Sequence, residues 1–238
     1  MGVLFIEKKI QRAIKDLQRG RFILIYDDDY REGETDLVMA SEFATPGSIR
    51  TMRKDGGGLI FIMISKEVAD ALKLPFLADM YANVEDRYPV LKFLAPYDIP
   101  YDSKSSFSLY INHRETFTGV TDIDRSLTMR RFAEFVKKTD LDNGYAAELF
   151  GKEFRSPGHI PVCVAAEGLL DERKGHTELV VSMLKMADLV PVGSGCEIMG
   201  DNGKALSKDK TREYAEKHDL VFLEGKEIVE AWRKWLKK

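Results

Sequence analysis

Apolar residues along this chain recur with two spacings, and each spacing predicts a different kind of element. In residues 5–19 an apolar residue returns every three or four positions, and Gly20 follows where a helix would end. Short unbroken runs rich in β-branched residues predict buried strands, most clearly at residues 59–64. The chain therefore opens with an amphipathic helix and contains strands with no polar face.

The rest of the pattern interleaves strands with helices. Further strands are predicted at residues 22–26, 37–40, 107–112, 160–166, 189–192, 196–199 and 220–223. Further helices are predicted over residues 66–72, 177–187 and 225–236, and two more begin at residues 46 and 207. Another helix is predicted to end at residue 138, with Asp122 or Asp124 as its capping residue. Residues 75–106 carry four prolines and predict a long irregular segment, which is typical of a functional loop or of one that covers an interface.

This alternation has no strict βαβ rhythm, no repeat and no clear domain boundary. It predicts a single α+β domain over residues 1–238. We expect a mixed, twisted β-sheet between helical layers, a three-layer α/β/α arrangement.

Composition narrows the class of protein. The 36 basic and 39 acidic residues give a net charge of −3, which argues against a nucleic-acid binder held by phosphate contacts. The only two cysteines, Cys163 and Cys196, have no zinc-site spacing and suit a reduced, cytoplasmic protein. The N-terminus lacks the pattern of a signal peptide, and no apolar run approaches the roughly 20 residues that span a bilayer. We expect an enzyme-sized protein with no nucleic-acid or membrane partner.

The densest polar feature is an acidic stretch at residues 27–36, which places six carboxylates within ten positions directly after a predicted strand. If the stretch is extended, Glu32, Glu34 and Asp36 project from one face, since side chains alternate along a strand. Three oxygen ligands on one face suit Mg²⁺ better than Zn²⁺. The alternative is a solvated acidic turn at the surface.

Two histidine-containing motifs follow. His159 stands after Pro-Gly where a strand begins, a place suited to acid–base chemistry, although a structural or exposed histidine is the alternative. Residues 173–178 precede a helix, and their arginine, lysine and free amides could form a phosphate site, with His176 as a metal ligand. Alternatively, Thr177 caps the helix and Glu178 only favours its first turn.

Two further features carry candidate chemistry. Glu197 is a lone carboxylate in an apolar strand, so it meets a cation, has a raised pKa or lies on a wet face. The threonines and glycine of residues 116–125 could bind a sugar hydroxyl or phosphate, but the pattern favours turn and cap chemistry. The glycines of residues 56–58 precede a strand, which is the wrong context for a phosphate-binding loop. Together these clusters predict a metal-assisted site for a small phosphorylated molecule.

Several of these motifs, in this order, resemble the 3,4-dihydroxy-2-butanone 4-phosphate synthase family of riboflavin biosynthesis. The matching segments are residues 31–36, 118–125, 154–159, 173–178 and 196–198. The resemblance extends from about residue 5 to residue 223, and without a cyclohydrolase-like region it is closest to the monofunctional form.

The resemblance implies a metal-dependent carbon–carbon lyase that converts D-ribulose 5-phosphate to L-3,4-dihydroxy-2-butanone 4-phosphate and formate. It implies Mg²⁺ or Mn²⁺, with two divalent ions per site, and a homodimer with active sites at the subunit interface. It also implies Glu32 and His176 as metal ligands, and Glu32, His159 and Glu197 as catalytic residues. The implied substrate-binding residues are Arg31, Glu32, Asp36, Thr118, Arg173, Lys174, Gly175, His176, Thr177 and Glu197, with Arg173 and Thr177 at the phosphate.

One position departs from the family pattern. Family members commonly carry a cysteine where this chain has Phe61. The phenylalanine either narrows the pocket or only lines it. Two alternative functions follow: a metal-dependent isomerase or aldolase acting on another sugar phosphate, and a binding protein that senses a phosphorylated metabolite or RNA, with catalysis lost through Phe61.

Overall fold

The computed structural model describes residues 2–95 and 98–237, with side chains from residue 7 onward. Its strands are β1 Ile23–Tyr26, β2 Thr35–Ala40, β3 Gly57–Ile64, β4 Phe107–His113, β5 Phe154–Val164, β6 Val192–Ile198 and β7 Val221–Glu224. Its α-helices are α1 Gly2–Gln18, α2 Pro46–Thr51, α3 Lys66–Ala71, α4 Leu77–Ala82, α5 Val90–Phe93, α6 Asp122–Lys138, α7 Ala146–Glu153, α8 His176–Met186, α9 Lys208–Lys217 and α10 Gly225–Trp235.

The strands of the described residues form one sheet in the order β4-β5-β3-β6-β2-β1-β7. The pairs β1–β7 and β3–β5 are parallel, whereas β1–β2, β2–β6, β3–β6 and β4–β5 are antiparallel. The sheet is therefore mixed, as the sequence predicts.

Helices cover both faces of this sheet, because its central strands are apolar on both sides. On β3, Ile60 and Ile62 pack under α2, α3, α6 and α7, while Phe61 and Met63 pack toward α1, α8 and α10. Successive side chains of a strand point to opposite faces, so an unbroken apolar run fits only a strand buried from both sides. The predicted α+β fold, a mixed sheet between helical layers, is confirmed.

Several boundaries differ from the sequence prediction. The strands predicted at residues 189–192 and 196–199 are a single strand, β6. Residues 189–191 lie outside any strand, because Asp188 has a positive φ of 54° and Pro191 cannot donate to a ladder. Strand β5 begins at Phe154, six residues before the predicted start, and pairs with β4 across an irregular register. Within the predicted irregular segment 75–106, the described residues form the short helices α4 and α5.

The start of α6 is also corrected. Thr121, rather than Asp122 or Asp124, caps the helix, and its hydroxyl accepts the N–H of Asp124 at 3.1 Å. Asp124 faces the preceding turn and accepts N–H groups from residues 117–119. Its carboxylate fixes the turn that carries Thr118.

Two observations bear on the environment of the protein. Cys163 and Cys196 are both buried and free. Among the described residues, we find no helix with the length and apolar character needed to cross a membrane.

Candidate active site

A cavity of about 270 Å³ lies where β2 begins, β6 ends and α8 starts. Its lining includes Glu32, Glu34 and Asp36, so the three carboxylates expected on one face do share a site. Glu197 and His176 complete the charged wall. The fold thus brings together side chains that are up to 165 residues apart in the sequence (197 minus 32).

The acidic loop between β1 and β2 is folded around the buried carboxylate of Asp27. One oxygen of Asp27 accepts the N–H of Glu32 at 3.0 Å, and the other accepts the N–H of Glu34 at 3.1 Å. Gly33, between them, has a φ of +66°, a conformation that side chains rarely adopt. Asp27 therefore sets the path of the loop that presents Glu32 and Glu34 to the cavity.

Asp36 and Glu197 face each other across the antiparallel pair β2–β6. Asp36 is 1% exposed, and neither of its side-chain oxygens has a hydrogen-bond partner among the described residues. Burial raises the pKa of Asp36 well above its usual range, and the neighbouring Glu197 raises it further although His176 opposes the shift. The Asp36 carboxyl therefore binds a proton more strongly than an exposed aspartate does.

Glu197 is placed by the glycine-rich turn at the start of β3. The backbone N–H of Leu59 donates to its carboxylate Oε2 at 2.7 Å. A Cβ on Gly58 would lie 2.8 Å from the Glu197 Cβ, so the close approach requires glycine. Burial raises the pKa of Glu197, and the Leu59 N–H moderates the rise. The glycines of residues 56–58 thus serve the site without being a phosphate loop, a role that sequence reasoning missed.

His176 is almost fully buried at the first position of α8. Its ring Nε2 lies 3.2 Å from the carbonyl oxygen of Ile25, which can only accept, so the ring hydrogen is assigned to Nε2. The other nitrogen, Nδ1, lies 3.8 Å from Glu32 Oε2. Burial opposes the charged form, but the carboxylates of Asp36 and Asp27 outweigh it and raise the pKa of His176.

The start of α8 is held by an ion pair. Arg173 Nη1 donates to the fully buried Glu178 at 2.6 Å, and Glu178 also accepts the N–H of Gly175 at 3.2 Å. Gly175, rather than Thr177, is the capping residue of α8. Thr177 instead lies in the first turn, buried, and lines the cavity. Glu178 therefore anchors the basic motif, which is more than the expected first-turn preference.

A larger cleft of about 1130 Å³ adjoins this cavity. Arg31 and Lys174, both expected at the substrate, line this cleft and not the smaller cavity. Arg173 and Asp102 line both spaces. The basic residues expected around one substrate are thus divided between the cavity and the adjoining cleft.

Two expected site residues lie elsewhere in this chain. His159 is exposed on β5, where its N–H donates to Asn112 Oδ1 at 2.9 Å. It stands four residues, or about 13 Å along a strand, from Cys163, which does line the cavity. Thr118 donates its hydroxyl to Asp124 at 3.2 Å. Neither His159 nor Thr118 reaches the cavity within a single chain.

Phe61 forms part of the apolar wall of the cavity, and Cys163 on the neighbouring strand β5 lies beside it in the same apolar cluster. Burial raises the pKa of the Cys163 thiol to about 12, so the thiol is neutral. The phenylalanine lines the cavity without filling it, since about 270 Å³ remains beside it.

Comparison with known proteins now decides the family. Residues 11–231 match the family model described as 3,4-dihydroxy-2-butanone 4-phosphate synthase. The chain belongs to that family.

Individual members of the family are similar along nearly their full length. The synthase of Methanosarcina mazei is 46% identical over 97% of this chain and 94% of its own. The crystal structure of the Candida albicans synthase is 28% identical and superimposes with a TM-score of 0.70, covering 93% of this chain and 96% of that chain. A synthase structure in complex with two magnesium ions reaches a TM-score of 0.73 at 23% identity, over 94% of this chain and 96% of that chain, and shows the fold alone.

These similarities support the synthase role in riboflavin biosynthesis. Neither a binding protein without catalysis nor an isomerase or aldolase is favoured by them.

Proposed function

We propose that this cavity converts D-ribulose 5-phosphate to L-3,4-dihydroxy-2-butanone 4-phosphate and formate. The observation that carries the proposal is the grouping of Glu32, Asp36, His176 and Glu197 at one cavity wall, beside Arg173. The conversion is balanced in atoms: a five-carbon sugar phosphate yields a four-carbon phosphate and formic acid, with no oxidant and no net water. The protein must therefore supply proton transfers and charge stabilisation, which are what these groups offer.

The donor set fits a divalent cation such as Mg²⁺ or Mn²⁺. Ligand atoms of Asp27, Glu32 and His176 lie within 4.8 Å of one another. The ring N–H of His176 is directed at the Ile25 carbonyl, which leaves Nδ1 free as a ligand, the arrangement common in histidine metal sites. The buried, unpartnered oxygens of Asp36 provide further oxygen donors for a second ion. A bound ion would polarise the ketone and hydroxyl oxygens of the substrate and stabilise the negative charge that develops there.

Asp36 and Glu197 have the properties of acid–base groups. Both pKa values are raised by burial, so each carboxyl binds a proton more strongly than an exposed one and can exchange it with a neighbouring atom. The reaction begins by removing a proton beside a ketone, and the loss of the C1 hydroxyl and the release of C4 each need a further proton transfer. Two carboxyl groups placed opposite each other can serve such successive transfers.

The phosphate of the substrate is proposed to bind at the first turn of α8. Arg173 offers a guanidinium, and Thr177 offers a hydroxyl and a backbone N–H at the positive end of the helix dipole. Gly175 and Lys174 lie on the same turn. The carbohydrate end of the substrate would then extend toward Glu32 and Glu197.

The complete site is proposed to form between two copies of the chain. His159 and Thr118 do not reach the cavity of their own chain, and a twofold-related copy could bring them there. Next to Thr118, Phe117 is 93% exposed and Ile123 is 67% exposed. Apolar side chains this exposed, one on the turn and one at the start of α6, favour burial in a subunit interface. We also propose that the enzyme works in the cytoplasm, where two free buried thiols stay reduced.

Metal dependence can be tested by binding and by turnover. Manganese titration should give a dissociation constant at least tenfold weaker for Glu32→Gln than for the unchanged protein. Glu216→Gln on α9, an exposed carboxylate remote from the cavity, is the matched control and should bind as the unchanged protein does. Formate release should stop with EDTA and return with added Mg²⁺. Turnover that persists in EDTA would contradict the proposal.

The interfacial site can be tested by mixing two inactive variants. If His159 and Glu197 of one site come from different copies, co-expressed His159→Ala and Glu197→Gln chains form mixed dimers with one intact site. Random pairing then restores about one quarter of the unchanged activity. No recovery above the single variants, at equal dimer content by sedimentation, would place both residues in one chain.

A further inference from the structure

The carboxylate of Asp102 lies between Arg173, which lines the cavity, and Arg31, which lines the adjoining cleft. Its Oδ2 accepts from Arg173 Nε at 2.5 Å and from Arg31 Nη2 at 3.2 Å. One oxygen held by two guanidinium groups is also how arginines hold an oxygen of a phosphate. The arginine pair is therefore already occupied by an anion from the chain itself.

Arg173 and Arg31 are both paired with carboxylates of the chain itself. Glu178, fully buried, takes one edge of the guanidinium at 2.6 Å, and Asp102 takes another. Arg31 lies 3.8 Å from the buried Asp27 as well as bonding Asp102. The two arginines thus meet four carboxylates, because Arg31 Nη2 also lies 3.9 Å from Glu32 Oε1. A doubly negative phosphate brought to Arg173 would meet repulsion unless one carboxylate leaves.

Asp102 is the carboxylate that can leave. Glu178 is fixed by N–H groups of Ala166 and Gly175, and Asp27 by those of Glu32 and Glu34. Asp102 lies in the segment of residues 101–106, outside any helix or strand. Among the described residues, its carboxylate accepts the N–H of the adjacent Ser103 and otherwise bonds only the two arginines. The same segment forms part of the wall of both the cavity and the larger cleft.

We propose that Asp102 is an internal counter-anion, which occupies the phosphate position at Arg173 and Arg31 and is displaced by the phosphate monoester of the substrate. The proposal rests on the proposed function, because it takes Arg173 as a phosphate ligand. Displacing a tethered carboxylate favours a dianionic phosphate over singly charged carboxylate ligands. Asp102 is thus a specificity-determining residue. It weakens the binding of every anion in proportion to the fraction of molecules in which its carboxylate is bonded to the arginines.

The test is calorimetric titration with inorganic phosphate in the absence of metal. Asp102→Asn should bind phosphate about five- to tenfold more tightly than the unchanged protein, because the neutral amide competes poorly for two arginines. Asp102→Glu, which keeps the charge, should stay closer to the unchanged protein. Asp86→Asn removes one charge from an exposed carboxylate paired only with Lys92 and is the matched control, with no expected change.

A second substitution tests whether the asparagine amide of Asp102→Asn itself contributes to phosphate binding. Asp102→Ser should tighten phosphate binding as Asp102→Asn does, and adding Arg173→Met to either variant should abolish the gain. Equal or weaker phosphate binding in both Asp102 variants overturns the proposal. Formate release by the unchanged protein is measured separately: tighter phosphate binding without any formate would refute the proposed reaction and leave the counter-anion standing, whereas formate without tighter binding would do the reverse.

Discussion

The two faces of the central sheet differ in polarity, and adjacent residues of one strand belong to different faces. On β6, Cys196 points into the core under α6 and α7, while the next residue, Glu197, points into the acidic cavity. The first face holds an aromatic cluster in which the rings of Phe150 and Phe154 stack at 4.4 Å and Phe132 meets Phe150 edge-on at 5.2 Å. The second face holds Asp36, buried with no hydrogen-bond partner among the described residues.

This difference separates what stabilises the fold from what the fold supports. Each buried phenylalanine removes a large apolar surface from water and contributes stability. Each buried carboxylate without a partner costs stability, because desolvation of its charged form is not repaid within the chain. The stability contributed by the aromatic face therefore offsets the cost of the acidic face. Substitutions on the aromatic face should lower stability and spare activity, whereas those on the acidic face should lower activity and spare stability.

The largest effect is expected on the acidic face. Glu197→Gln keeps the shape of the side chain but removes the proton-transfer group, so kcat should fall by about 10²- to 10⁴-fold. The midpoint of thermal unfolding, measured by calorimetry with EDTA present, should stay the same or rise, because a carboxylate with a raised pKa is removed. A marked fall in that midpoint would mean that Glu197 is structural.

The mirror experiment is on the aromatic face. Phe132→Ala should lower the free energy of unfolding by about 3–5 kcal/mol, since it leaves a cavity among packed rings. In the molecules that remain folded, kcat should be within about twofold of the unchanged protein. Urea titration and active-site-normalised kinetics measure the two quantities. A selective loss of kcat would show that the faces are coupled.

A smaller effect should come from the glycine turn that positions Glu197. Gly58→Ala places a methyl group 2.8 Å from the Glu197 Cβ and should lower kcat about 10- to 100-fold. Losing the Leu59 N–H bond raises the pKa of Glu197 further, so the pH limb that depends on Glu197 should move to higher pH. Gly151→Ala on α7 is the control, because a Cβ there meets nothing within 4 Å. If Gly58→Ala has a normal kcat and an unshifted pH profile, the glycine turn does not position Glu197 for catalysis.

The smallest effect concerns stability alone. Burial raises the pKa of Asp36 in the folded protein, so the unfolded chain releases this proton more readily and stability falls as pH rises from about 4 toward the folded pKa. In metal-free protein at pH 7, Asp36→Asn should be more stable, on the order of 1–3 kcal/mol. The difference should shrink toward zero near pH 4. A difference that does not depend on pH would contradict the raised pKa.

Much of this organisation follows from local sequence. The run at residues 59–64 predicts a strand buried on both faces because apolar residues are unbroken there, and β3 confirms it. The acidic stretch predicts a shared face for Glu32, Glu34 and Asp36 because strand side chains alternate, and all three line one cavity. That His176 lies beside them is expected from the family resemblance and not from a local pattern.

What sequence did not predict depends on strand register and on distant packing. That Asp36 lies opposite Glu197 is fixed by the β2–β6 pairing, and a shift of one residue would turn either side chain away. The contacts of Gly58 with Glu197 and of Asp102 with Arg173 join positions 139 and 71 residues apart (197 minus 58, and 173 minus 102). No local pattern marks them, although three consecutive glycines before a strand do signal a close backbone approach.

The measurement that tests the central claim most directly is ¹³C NMR of the protein with Mg²⁺ and ribulose 5-phosphate labelled at C4. We expect labelled formate to appear in equal amount with the four-carbon phosphate, and to be at least about a hundredfold slower with Glu197→Gln. Bound substrate that releases no labelled formate, or formate released equally by Glu197→Gln, would contradict the assignment of the reaction to this cavity.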